Sequence, residues 1–197
     1  DGDLESASYR GSIGFNLADR SSVTLSTNRQ SERLFAPFQI RPGTFIPEGD
    51  YTFHEGSASY RSSQGRALSG NVGVSGGDSY DETRFSVPGG LGWAPDHRLI
   101  LALDATHNAL EVQDTRFTAD LYSAKVQYAW STVLNFTGFV QYNADIDEVV
   151  TNLRLNYVHA PLSDLFLLYT ERRPAGSSPA GPMERFITVK VTRLLVF

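Results

Sequence analysis

The 197-residue sequence contains no cysteine and no long apolar stretch. The absence of cysteine excludes disulfides and thiolate metal sites, and it suits an oxidising compartment where stray thiols are a liability. No segment approaches the roughly 18–20 apolar residues of a transmembrane helix, which excludes a helical membrane protein. A signal peptide is also missing from the start, so we expect a mature, processed or partial chain.

Basic charge and helical periodicity are scarce as well. The 22 acidic residues outnumber the 17 lysines and arginines, for a net charge of -5, which argues against a nucleic-acid partner. Capped segments with a helical period are missing along the whole length. The 9 tyrosines, 12 phenylalanines and 17 glycines indicate an all-β protein.

Alternation of apolar and polar residues with a period of two recurs along the chain, which predicts β-strands. About eleven strands are predicted, each of roughly ten residues, the length that a tilted strand needs to cross a bilayer. Pro88 predicts a bulge, or a strand that is poorly paired on one side. The predicted strands are 6–17, 22–34, 53–62, 66–76, 84–93, 98–107, 117–130, 133–143, 151–159, 165–173 and 185–197.

The connections between these strands alternate in length, as in an outer-membrane barrel with tight periplasmic turns and longer external loops. The tight turns are predicted at 18–21, 62–65, 94–97, 131–132 and 160–164. The longer loops are predicted near 35–50, 77–83, 108–116, 144–149 and 173–184. Rings beside the tight turns predict an interfacial girdle of Trp93, Trp130, His159 and Phe197.

The strand count has a consequence for closure. Bacterial single-chain barrels have even strand numbers, and an open edge in lipid leaves backbone groups without partners. Residues 1–197 are therefore expected to form a single domain, an antiparallel transmembrane β-barrel that is the C-terminal portion of a larger one. The strands that close it are expected upstream in the same polypeptide or in another chain.

Charged residues of both signs alternate with the apolar positions and are predicted to line the lumen. They can pair across strands and fill a narrow barrel, or line a pore and set its selectivity. The predicted lumen residues are Arg10, Glu55, Arg61, Arg84, Asp104, Lys125, Arg154, Glu171 and Lys190.

Signals for a metal, a cofactor or catalysis are weak. Asp145, Asp147 and Glu148 supply the oxygen ligands that Ca²⁺ prefers, but without EF-hand spacing, so solvated acidic loops are the simpler explanation. The histidines show no metal-binding spacing, and we predict neither a metal site nor a cofactor. A membrane lipase would need a serine in contact with a histidine such as His107 on the outer wall, and we predict that the protein is not an enzyme.

Three stretches carry a family resemblance: PFQIRPGTFIPEGDY (37–51), FVQYNADIDEVVTNLRLNYVHAPLSDLFLLYTERR (139–173) and VKVTRLLVF (189–197). They resemble the C-terminal barrel of a largely uncharacterised bacterial outer-membrane family. Its longer members carry a carbohydrate-binding-module-like domain ahead of the barrel, which these residues do not include. The resemblance implies an outer-membrane location and contact with lipid and lipopolysaccharide. The terminal Phe197 resembles the signal that bacterial outer-membrane barrels present to their insertion machinery, which is therefore an expected partner. The proline-rich segment RRPAGSSPAGPME departs from the family pattern.

The sequence thus favours an integral outer-membrane β-barrel. It would act as a pore or transport conduit, or as a membrane anchor or platform for an upstream domain or partner complex. An alternative is a soluble or surface ligand-binding β-barrel, which would bury its apolar residues inside. An outer-membrane enzyme is a distant third hypothesis.

Overall fold

The computed structural model describes residues 6–41, 44–79, 82–112, 115–176 and 184–194. Every regular element in these ranges is a β-strand, and no helix there is long and apolar enough to cross a membrane. The strands are β1 Ser6–Asn16, β2 Ser22–Leu34, β3 Phe38–Arg41, β4 Thr44–Ile46, β5 Gly49–Arg61, β6 Leu68–Ser79, β7 Glu82–Trp93, β8 Leu99–Val112, β9 Thr115–Thr118, β10 Leu121–Ala129, β11 Leu134–Asn143, β12 Glu148–Ala160, β13 Ser163–Pro174 and β14 Glu184–Thr192.

The sheet is an antiparallel meander in which each long strand pairs with its neighbours in the chain. β9 and β10 act as one strand, because both pair with β8 in a single register. A hydrogen bond from Ala119 N to Asn108 O continues the ladder across the break between them. β3 and β4 form a separate hairpin between β2 and β5. The prediction of about eleven principal strands is therefore confirmed.

The register gives this sheet one apolar and one polar face, because cross-strand partners project to the same side. One row on the apolar face runs through Leu68, Trp93, Leu101, Val126, Gly138, Leu153, Tyr169 and Ile187. A row on the opposite face runs through Arg61, Asn71, Gly90, Asp104, Ser123 and Gln141. We call these two surfaces the apolar face and the polar face.

The apolar face is not covered by protein in the described part of the chain. On this face Leu91 is 60% exposed, Leu103 58% and Ile187 69%. The one large apolar residue that is buried in the described part of the chain is Ile46, in the separate β3–β4 hairpin. A soluble domain would bury such a face against a second layer. A single layer with an apolar outer surface is the architecture of an outer-membrane β-barrel, as the sequence predicts.

The two edges of the sheet are β1 and β14. No ladder joins them among the described residues. The path from β1 to β14 contains eleven antiparallel strands, the two edges included. Because eleven is odd, β1 and β14 run in the same direction. Direct pairing of the two would therefore introduce a parallel seam.

Three of the five predicted long connections are wrong. The structure continues β6 and β7 through most of 77–83, continues β8 and β9 through most of 108–116, and turns tightly within 144–147. Pairs such as Asp78 with Thr83 extend the ladder past the predicted strand ends. Ladder hydrogen bonding outweighs the weak strand propensity of glycine and acidic residues there. The connection 35–48 does contain an additional hairpin, and most of the connection after β13 lies outside the described residues.

Pro88 has the predicted effect on pairing. The ladder between β6 and β7 lacks the two pairs between Val72–Gly89 and Ser75–Ser86, because proline has no N–H to donate. On its other side Pro88 pairs with Thr106 of β8. The strand is thus paired fully on one side only.

Candidate functional site

The polar face gathers eight of the nine charged residues that the sequence predicts for the lumen. The register places them there, because each is a cross-strand partner of a polar-face residue or lies an even number of residues from one in the same strand. Six of them are cationic and two are carboxylates. They are Arg10, Arg61, Arg84, Lys125, Arg154 and Lys190 with Glu55 and Asp104.

Glu171 is the exception, and its predicted place on the lumen wall is wrong. It pairs with Thr151 of β12 and Arg185 of β14, and it shares its strand parity with Tyr169 on the apolar face. Its side chain is 18% exposed and lies 3.2 Å from the Arg185 guanidinium. A charged residue near the end of a strand can stand on the apolar face when such a partner accompanies it.

One row on the polar face crosses five strands and brings three charged residues into line. The row consists of Arg10, Asn28, Glu55, Gly77 and Arg84. Strands lie about 4.8 Å apart, so each arginine is about two strand spacings from the central carboxylate. Cavities of about 230 Å³ and 200 Å³ flank Glu55 on its two sides. The arrangement leaves open space between charges of opposite sign.

Gly77 allows this row to form because β5 and β6 approach closely there. A Cβ at position 77 would clash with the His54 carbonyl oxygen and would lie 2.8 Å from the Glu55 Cα. Space for a side chain is also lacking at Gly90, where a Cβ would lie 2.9 Å from Asn71 Oδ1 and 2.5 Å from Asp104 Oδ1. The side chains of Asn71 and Asp104 therefore occupy the space above Gly90.

Arg154 has a ring partner that no local pattern in the sequence indicates. Its guanidinium carbon lies 4.5 Å from the centre of the Phe166 ring, on the polar face of β12 and β13. Such a cation–π contact holds the charge against the wall. A cavity of about 360 Å³ adjoins Arg154 and Asn156, and the buried Asn156 Oδ1 atom has no hydrogen-bond partner in the described part of the chain.

Aspartates organise two of the tight turns. Asp96 Oδ1 accepts hydrogen bonds from the backbone N–H groups of Arg98, at 2.7 Å, and Leu99, at 3.0 Å. These two bonds hold the pKa of Asp96 below its ordinary value. The pKa of Asp19 is also lowered, first by the Ser21 hydroxyl, then by the Ser21 backbone N–H and less by Arg66.

The ring-bearing residues predicted for the girdle occupy one end of the sheet where they are described. Trp93 ends β7 at 47% exposure, and Trp130 follows β10 at 56%. The Trp130 ring meets Tyr128 edge to face, with centroids 4.8 Å apart. The His159 ring lies 6.4 Å from the ring of Tyr157. Phe197 lies outside the described residues. An interfacial role for the four stays a prediction.

The weak Ca²⁺ candidate is not assembled as a site. Asp147 accepts a hydrogen bond from the Tyr142 hydroxyl at 3.0 Å, and Glu148 faces Arg172 at 3.4 Å on the polar face. Within the described ranges, no three histidine or acidic side chains converge as metal ligands.

His107 is paired with an acid on the apolar face. Its Nδ1 lies 2.6 Å from Asp120 Oδ1, and its cross-strand neighbour in β7 is Val87. A hydrolytic triad also needs a serine hydroxyl beside the histidine. Among the described residues, no hydrogen bond joins a serine to His107.

The fold and its two faces define the class of protein, an outer-membrane β-barrel of antiparallel strands. Three of the solved structures to which this chain is similar are porins. A NanC porin structure aligns with a TM-score of 0.43 and 10% identity, over 95% of this chain and 96% of that chain. A KdgM porin in complex with disordered oligogalacturonate gives a TM-score of 0.38 and 10% identity over the same shares. Another KdgM porin gives 0.37 and 11% over 85% and 91%.

No protein-family model matches the sequence, and no curated protein matches it.

Proposed function

We propose that the protein is a transport conduit of the bacterial outer membrane, with the apolar face toward lipid and the polar face toward a water-filled lumen. The observation that carries this proposal is the separation of the two faces across the whole sheet. Lipid can cover the exposed leucines and valines, because hydrocarbon is as apolar as they are. The polar face, with its unfilled cavities beside Arg10, Glu55 and Arg154, suits a hydrated wall.

The wall is expected to favour anions. We call the end of the sheet that carries the connections after β2 and β13 the long-loop end. Away from that end, the polar face holds five cations, Arg10, Arg61, Lys125, Arg154 and Lys190, against Glu55, Asp104 and Asp164. At the long-loop end, among the side chains that the structure describes, this face carries Glu32, Glu148 and Glu184 together with Arg84 and Arg172. Rings of charged side chains set the sign of the ions that a pore admits. A cationic wall behind an acidic mouth should therefore give a moderate preference for anions.

Reversal potentials of the full-length protein in planar bilayers, measured across a salt gradient, test this proposal. We expect open channels that favour chloride over potassium. K125E combined with R154E should reduce or reverse that preference, whereas V126T, on the apolar face beside Lys125, should leave it unchanged. Absence of conductance in protein that has inserted fully would overturn the conduit and favour an anchor or platform.

We propose that further strands, from the same polypeptide or from another chain, close the barrel. Because β1 and β14 run in the same direction, an odd number of additional strands completes an antiparallel barrel, and one is the minimum. The intact mass of the native protein distinguishes the two sources. A mass near the 21.7 kDa of these residues would require another chain, and a much larger mass would support strands within the polypeptide.

Membrane insertion is tested separately by tryptophan quenching. Trp93 and Trp130 lie at the tight-turn end of the apolar face, so bromine atoms placed near the lipid headgroups should quench them more than bromines at the bilayer centre. The soluble ligand-binding alternative predicts no quenching by either lipid and a protein that stays monodisperse without detergent.

We further infer kinship with the outer-membrane family that residues 37–51, 139–173 and 189–197 resemble. Its members' insertion through a terminal phenylalanine would apply here to Phe197. Deletion of Phe197 should slow assembly into the outer membrane of cells while leaving refolding into detergent unchanged. Normal assembly of the truncated protein would contradict this role.

A further inference from the structure

A polar cluster interrupts the apolar face at the long-loop end of β13 and β14. It consists of Tyr169, Glu171, Arg173 and Arg185. Glu171 and Arg185 are direct cross-strand partners, and the next pair on the same face is Tyr169 with Ile187. Arg173 follows Glu171 by two residues in β13 and so projects to the same side.

The contacts within this cluster centre on the Glu171 carboxylate. Arg185 Nη2 donates to Glu171 Oε1 at 3.2 Å, and the Tyr169 hydroxyl donates to Oε2 at 2.6 Å. The Arg185 guanidinium also lies 6.0 Å from the centre of the Tyr169 ring. Arg173 is close enough for its charge to act on the same carboxylate. Both carboxylate oxygens are therefore engaged.

The cluster carries more positive charge than the carboxylate can neutralise. One arginine would balance Glu171, but two are present, and the Arg185 side chain is 53% exposed. Each guanidinium has five N–H donors, and the bond to Glu171 uses one donor of Arg185. Donors and a net positive charge thus remain available at the boundary where the apolar face ends.

We propose that Arg173 and Arg185 bind the phosphate group of a membrane lipid headgroup. Guanidinium groups bind phosphate with paired, charge-assisted hydrogen bonds. Ile187 and Val189 continue the apolar face beside the cluster at 69% and 61% exposure, so the acyl chains of the same lipid would lie against them. Glu171 orients Arg185 but repels the phosphate. This inference rests on the membrane insertion proposed above.

Lipid A with and without its two phosphates provides the probe, because only the phosphate groups differ. Binding to the full-length protein in detergent is measured by native mass spectrometry. We expect R173Q and R185Q each to weaken binding of phosphorylated lipid A about fivefold, and the double variant to weaken it more. The reason is that each single substitution removes the attraction of one basic residue to an anionic lipid. Dephosphorylated lipid A should bind all variants equally.

R172Q is the matched control, because Arg172 is adjacent in sequence but projects to the polar face beside Glu148. It should not change lipid A binding. E171Q distinguishes a phosphate-binding site from an ion pair that binds no lipid. At a phosphate-binding site, E171Q should bind phosphorylated lipid A more tightly, because the repelling carboxylate charge is removed. Inorganic phosphate should compete only weakly, because it cannot contact Ile187 and Val189.

Two failures have different signatures. If the variants insert and show tryptophan quenching as before but bind phosphorylated lipid A as tightly as wild type, the lipid site is wrong and the conduit stands. Equal competition by inorganic phosphate would replace the lipid with a free anion and overturn the proposal. A protein that neither partitions into detergent nor is quenched by brominated lipid would refute the proposed function itself.

Discussion

Gly77 provides a sharp test of the sheet geometry, because β5 and β6 approach each other too closely there for any side chain. In Gly77→Ala the new Cβ would clash with the His54 carbonyl oxygen and would lie 2.8 Å from the Glu55 Cα and 3.1 Å from the Glu55 Cβ. Two of these three atoms belong to the backbone, so no rotamer change relieves the contact. The two strands must separate, and the ladder pair Glu55–Gly77 must weaken.

The expected cost follows from two opposing effects. Overpacking costs about 1–3 kcal/mol, whereas replacing a glycine by alanine in a strand recovers roughly 0.5–1 kcal/mol of backbone entropy. Gly77→Ala should therefore lower the free energy of unfolding by about 1–2 kcal/mol. Gly56→Ala is the matched control in the same hairpin, since a Cβ there meets no atom within 4 Å. It should be neutral or slightly stabilising.

The measurement is reversible urea unfolding of the full-length protein in lipid vesicles, followed by tryptophan fluorescence. The denaturation midpoint should fall for Gly77→Ala and hold or rise for Gly56→Ala, with equal slopes. Equal midpoints for the two variants would refute the close approach of β5 and β6. It would also remove the reason for an open space between Glu55 and Arg84 on the polar face.

Three further predictions concern the faces, the ladder and a turn. Leu103→Arg, on the apolar face, should destabilise the inserted protein by about 2–4 kcal/mol, whereas Ala102→Arg on the polar face should change little; equal effects in urea unfolding would contradict the assignment of the faces. Pro88→Ala should restore a donor to the β6–β7 ladder, worth about 0.5–1.5 kcal/mol, and slow amide exchange at Gly73; unchanged exchange would count against it. The lowered pKa of Asp96 means that its contribution to stability is present above the ordinary value of 3.8 and is lost as pH falls through the lower folded value. Asp96→Asn should flatten that acid dependence, and an unchanged pH profile of unfolding would show that the turn bonds do not matter.

The number of strands and the separation of the faces could be predicted because both depend on the period of two, which is local in sequence. Glu171 is different, because its charge indicates the lumen whereas its position does not. It shares the parity of Leu165, Leu167 and Tyr169, so the alternation places it on the apolar face. The contact between Arg154 and Phe166 is different, because no local pattern brings residues from two strands together.

The register between β12 and β13 explains why such contacts escape sequence analysis. Their two-residue turn pairs Ala160 with Ser163, and a ladder continued from that pair without interruption would set Leu155 opposite Leu168, on unlike faces. A bulge between Val158 and Ala160 shifts the register by one residue, so that Leu155 meets Leu167 instead. A one-residue shift exchanges the faces of a whole strand. Burial of apolar side chains in lipid selects the bulged register, and the ring of Phe166 comes to face Arg154 only in consequence.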